Sequence, residues 1–223
     1  MKTLTKIDFF GCLFLIVAYA IGIYYASTNI NYFDTVYSKE DGFVENSQFI
    51  LIFFSSVLLF YRFFSLFKHK NIYWKIGVLT MAIVFLFGAG EEISWGQRIF
   101  NIESSKYFLE NNAQQETNLH NMVVEGKKIN KLIFSQLLTV ILILYILILP
   151  ILYRKVKSIK KLVNLFAIPI VQWHHTIAFL ASTGFIFLVD STRKWELYEL
   201  AFAIIFFLIF LNPFNKNIYE INS

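Results

Sequence analysis

Apolar residues in this chain gather into long runs parted by short polar stretches, with no sustained two-residue alternation. A helix that crosses a bilayer needs about 20 mostly apolar residues. Six segments meet or approach that length: Phe9–Ser27, Ile50–Phe67, Ile76–Ile93, Leu132–Tyr153, Leu162–Val189 and Leu197–Leu211. The pattern therefore predicts an all-α, polytopic transmembrane bundle of about six spans, forming one integral-membrane domain over residues 1–223. The fifth segment is overlong and contains Pro169. It reads either as a kinked span or as a short interfacial helix followed by a span starting near Ile170.

Lysine and arginine set the expected orientation, because they collect in short cytoplasmic loops. Lys2, Lys6, Arg62, Lys68, Lys70, Lys75, Arg154, Lys155, Lys157, Lys160, Lys161 and Lys216 fall on one side, 12 of the 20 basic residues. Only Asp8 and Glu220 of the 15 acidic residues join them. Both termini are accordingly expected in the cytoplasm, and a long polar loop from Gln97 to Asn130, between the third and fourth spans, outside. A multi-pass protein of a cell membrane, the bacterial inner membrane in the first place, fits this distribution. The stretch after Lys6 is long enough to read as a retained first helix rather than a cleaved signal peptide.

Composition sharpens the picture in three ways. Hydrophobic residues make up 57% of the chain, above the roughly 45–50% of soluble proteins. The single cysteine, Cys12, excludes an internal disulfide and any cysteine-based zinc site. The net charge of +5 is explained by the basic cytoplasmic loops, so no nucleic-acid partner is expected.

Candidate chemistry collects in the polar stretches. Asp41, Glu45 and Gln48 would share a face if the helix of the second span began early. The sharpest segment is Gly88-Ala-Gly-Glu91-Glu92-Ile-Ser94-Trp95-Gly-Gln97-Arg98. Adjacent acids at the end of an apolar run are costly unless paired, protonated or metal-bound. On a continuing helix Glu91, Ser94 or Trp95, and Arg98 would share one face, and a structural Glu91–Arg98 ion pair is the competing reading. In the outer loop, Glu116 and His120 would share a helical face at i and i+4, a spacing that suits two ligands of one metal or an acid orienting an imidazole. Trp173-His174-His175 lies in the fifth span, and neighbouring positions on a helix point about 100° apart, so at least one imidazole should face the bundle.

The Glu91-Glu92 pair followed by an arginine, with histidines on later helices, resembles the CAAX-protease and bacteriocin-processing family of glutamic intramembrane proteases. That family carries Glu-Glu-x-x-x-Arg, whereas Arg98 comes two positions later; no phenylalanine stands four before His120, His174 or His175, and the third family motif is absent. The set Glu40, Asp41, Glu45, His120, His174 and His175 is similar to the acidic segment and three zinc-binding histidines of the alkaline ceramidase and adiponectin-receptor group, though that group has seven helices and a different motif order. Both likenesses imply a membrane-embedded hydrolase.

The expectation is a hydrolase or transferase at the extracytoplasmic face, acting on a lipid or membrane-anchored substrate. Glu91, Glu92, Arg98 and His120 would be its catalytic residues, and Trp95, Gln97 and Asn118 would contact substrate. A divalent metal, zinc first, would draw on Glu92, Glu116, His120, His174 and His175. Two rival expectations stand beside it: a subunit that docks a membrane-protein partner through its acidic outer face, and a proton-coupled transporter relaying through Glu91, Glu92 and His175.

Overall fold

A computed structural model describes residues 4–119, 121–124, 127–128 and 138–221. Eleven α-helices appear among them: α1 (Lys6–Thr28), α2 (Ile30–Tyr32), α3 (Phe43–Leu66), α4 (Ile72–Glu92), α5 (Gln97–Phe100), α6 (Lys106–Asn111), α7 (Leu138–Ile143), α8 (Leu149–Lys155), α9 (Lys157–Leu165), α10 (Trp173–Phe185) and α11 (Lys194–Leu211). A π-turn, Leu144–Ile148, joins α7 to α8, and the only strand pairing among the described residues is two residues long, Val123–Val124 against Lys127–Lys128.

The helices α1, α3 and α4 are each long and apolar enough to cross a membrane. The bent pair formed by residues 139–155 and α9 is a fourth candidate, with a 117° bend at Val156. Ile7, Phe10, Ile16 and Tyr24 on α1, Phe54, Tyr61 and Phe64 on α3, and Ile83 and Val84 on α4 all turn outward. An apolar exterior this extensive suits acyl chains rather than water.

Polar contacts mark the two ends of the bundle. At one end Trp74, at the start of α4, donates its indole N–H to Ile218 O, Arg62 near the end of α3 donates to Phe210 O, and Arg154 of α8 donates to Val171 O. At the other end Ser191 donates to Asp34 and Arg193 donates to Ser38 O. The helix α11 is the shaft between these ends. Its Leu197, Leu200, Ala201, Ile204, Ile205, Leu208 and Ile209 are all buried, and it packs against α1, α3 and α10.

The fifth predicted span is not one helix. The backbone leaves α9 at Ala167, whose φ of 54° is left-handed, and stays non-helical to Gln172. Pro169 lacks an N–H and disfavours helix in the residue before it, so the chain cannot resume a helix until it is clear of the proline. Of the two readings open for this segment, the structure has the short helix followed by a second one, which starts at Trp173. The tight passage of this segment against α4 explains Gly77: a Cβ there would stand 1.8 Å from Phe166 O.

Candidate functional site

Glu91 and Glu92 are the last two residues of α4, and they part company. The helix stops because Ser94, Trp95 and Gly96 all take left-handed backbone, with φ of 47°, 55° and 78°. Only glycine adopts this conformation freely. The expected shared face of Glu91, Trp95 and Arg98 on one continuing helix is therefore corrected. The Glu91–Trp95 contact survives by another route, since the reversed turn brings the Trp95 indole back to donate to Glu91 Oε1 at 2.9 Å. The side chain of Arg98 lies outside the described residues.

The second oxygen of Glu91 accepts the backbone N–H of Leu119 at 2.6 Å, which ties the outer loop to the end of α4. Around this tie a polar network closes. Ser94 Oγ donates to Glu116 at 2.5 Å, and Asn118 Nδ2 donates to both Ser94 Oγ and Glu116, at 2.9 and 3.0 Å. Asn112 donates to Asn118 O and Oδ1, each at 2.9 Å. Gln97 donates to Ser104 at 2.6 Å and accepts the Thr117 N–H at 2.7 Å. Glu116 sits in irregular backbone rather than on a helix, and the expected i, i+4 pairing with His120 falls outside the described residues, because His120 is not among them. Glu91, Ser94 and Asn118 are all buried. Among the described residues of the loop, Ser104, Asn112 and Asn118 are buried.

Glu92 turns the other way, toward α3 and α11. The buried amide of Gln48 donates to Glu92 and to Glu199 Oε2, the latter at 3.5 Å. Glu45 and Glu196 stand close enough to add their charge to the group. Carboxylates from three helices thus gather around Glu92, and the Gln48 amide that serves two of them has its Oε1 buried with no hydrogen-bond partner among the described residues. Asp41 was expected to share a helical face with Glu45 and Gln48. It lies before the helix instead, with φ of 58°, and its backbone N–H donates back to Glu45 at 2.5 Å.

The histidines are elsewhere. His174 and His175 occupy the first turn of α10, and both direct Nε2 at one atom, Asp8 Oδ1, at 3.5 and 3.2 Å. Asp8 Oδ2 accepts from Thr5 N–H at 3.1 Å, from Thr5 Oγ1 at 2.7 Å and from Asn212 Nδ2 at 2.5 Å. Asp8 caps α1, His175 begins α10 and Asn212 follows α11, so one carboxylate joins three helices. Glu199 lies in the second turn of α11, and Asn212 follows its last residue. At about 1.5 Å per residue they are roughly 20 Å apart. The expectation of a single metal site linking Glu92 and Glu116 with His174 and His175 is corrected by that distance: the histidines belong to the opposite end of the bundle.

Asp8 was absent from the predicted site. The signal was present, since an acid opening one apolar run and a His-His pair just after a proline in another both sit beside basic clusters on the same expected side. No protein-family model, curated protein or solved structure matches the chain.

Proposed function

We propose that this is a multi-pass membrane enzyme, a hydrolase or transferase, whose reacting groups lie at the Glu92 end of the bundle, on the extracytoplasmic side. The observation that carries the reading is the left-handed run Ser94-Trp95-Gly96. Strained backbone costs on the order of 1–3 kcal/mol per residue, persists only where its surroundings enforce it, and concentrates at sites of function. Here the Glu91, Glu116 and Asn118 side chains do the enforcing.

In this reading Glu91 is a positioning residue, because Trp95 and Leu119 engage both of its oxygens. Glu92, half-buried beside Gln48 and Glu199, is the general base. Trp95 flanks the substrate. Arg98 and His120 keep their assigned catalytic roles on sequence position alone, and Gln97 and Asn118 become holders of the loop rather than substrate contacts. The substrate is a lipid or membrane-anchored molecule, because the segment that follows Glu92 exposes apolar side chains: Trp95, Ile99, Phe100 and Tyr107 are 50%, 68%, 72% and 59% exposed. Aromatic side chains of this kind sit at the level of lipid head groups.

The test compares membranes of cells expressing the chain, its Glu92→Gln variant, or neither, by mass spectrometry of lipids and lipoproteins. The wild type should convert at least one species, and Glu92→Gln should slow that conversion by about 10²–10⁴-fold, the usual contribution of a general base. A folded Glu92→Gln protein that matches the wild type would refute the assignment. The same exposed side chains also favour a second reading, docking of a partner protein. A partner that copurifies in fixed stoichiometry and is lost with Phe100→Ser would favour it.

A further inference from the structure

At the far end of the bundle the geometry points to a second site, a divalent transition-metal centre held by Asp8, His174 and His175. It is independent of the Glu92 reading and shares no residue with it.

Three observations carry it. First, one ligand atom from each residue lies within 4.8 Å of the other two. Zinc binds imidazole nitrogen at about 2.0–2.1 Å and carboxylate oxygen at about 2.0–2.2 Å, which sets the edge of a tetrahedral site near 3.3 Å. The observed edges from Asp8 Oδ1 are 3.2 and 3.5 Å. The two edges that meet at Asp8 Oδ1 therefore already have close to the length that a bound ion requires.

Second, hydrogen bonding within the protein leaves the cluster incomplete. His174 Nε2 and His175 Nδ1 are buried with no hydrogen-bond partner among the described residues. A buried imidazole nitrogen without a partner is costly. For His174 the atom concerned is the one aimed at Asp8 Oδ1, where His175 Nε2 already stands. Two imidazoles crowding one oxygen gain little as hydrogen bonds but are well placed as two ligands of one ion.

Third, the carboxylate is held as a metal ligand usually is. Thr5 and Asn212 fix Oδ2, which leaves Oδ1 turned to the histidines, and outer partners of this kind set the orientation of ligating groups. The donor set of two imidazoles and one carboxylate selects zinc or another first-row divalent ion and disfavours calcium and magnesium, which prefer all-oxygen sites. Three protein ligands leave a fourth position for water or a ligand. Trp173, the residue before His174, carries the Arg154 guanidinium over its ring at 4.6 Å. His174 is the one member with appreciable exposure, 14% of its side chain, so exchange with solvent or ligand runs past its ring.

The test uses the full chain in detergent, stripped with chelator and titrated with Zn²⁺ alone, and separately with Co²⁺ while the visible absorption of a tetrahedral cobalt site is followed. The wild type should bind one ion per chain. His174→Ala and the milder His174→Gln should each weaken binding at least tenfold while melting at the wild-type temperature, and His69→Ala should bind as the wild type does. Absence of binding by the wild type overturns the proposal, as does unchanged affinity in both folded His174 variants.

Discussion

Replacing Asp8 with alanine should destabilise the protein more than any other single change at its polar sites. The carboxylate accepts from Thr5 and Asn212 on one oxygen and faces His174 and His175 with the other. These groups come from the start of α1, the start of α10 and the end of α11, and Asp8 and His175 have no exposed surface. Removing the acceptor deprives the donors of Thr5, Asn212 and His175 at once. Losing two or more hydrogen bonds to a carboxylate, each contributing about 1.5–3 kcal/mol, costs about 3–6 kcal/mol. A chain of this size then unfolds roughly 10 °C lower. Thermal unfolding in detergent measures this, and Asp8→Asn, which keeps an oxygen acceptor, should recover part of the loss. An unfolding temperature within about 2 °C of the wild type would show that the three helices do not depend on this carboxylate.

The second large effect should be dynamic rather than global. Glu91 accepts the Trp95 indole and the Leu119 backbone N–H, so it holds the reversed turn with one oxygen and the outer loop with the other. Hydrogen bonds to a charged acceptor contribute about 1.5–3 kcal/mol. Glu91→Ala should therefore raise amide exchange across residues 112–119 by about 10–100-fold, since 1.4 kcal/mol is a factor of ten. The start of α11 should exchange as before. Mass-resolved hydrogen exchange separates the two regions. Equal acceleration throughout would mean that Glu91 supports the whole bundle, and no acceleration in the loop would mean that the tie is dispensable.

Much of the bundle could be read from the sequence because its signal is local. An unbroken apolar run permits helix whatever lies elsewhere, and α1 and α4 end within a few residues of the expected limits. The errors began where one backbone angle decides the geometry. Treating the segment after Glu92 as helix gave a plausible face, but Ser94 and Trp95 reverse the chain with conformations that neither residue type advertises. At Pro169 two readings were open, and the choice between them has a larger consequence. Counted from a span starting at Leu162, His174 and His175 come a dozen residues along it; with the helix starting at Trp173 they fall in its first turn, beside Asp8. The Asp8–His175 contact itself joins positions 167 residues apart, and no periodicity in one sequence reports such a pairing.

The two ends also suggest a division of labour. The Glu92 end is acidic, and the segment that follows it is strained and carries exposed aromatic residues. The Asp8 end is compact, with two histidines and a carboxylate among buried neighbours. The shaft of α11 connects them, and its buried aliphatic face leaves no described polar residue between Glu199 and Asn212.

The proposed enzyme has its two ends on opposite sides of the membrane. In a Cys12→Ser background, single cysteines at Tyr107, exposed on the outer loop, and at Lys160, exposed on α9, can be treated with a membrane-impermeant maleimide in intact cells. Tyr107→Cys should label before the cells are opened and Lys160→Cys only afterwards. Labelling of both positions from the same side would contradict the account.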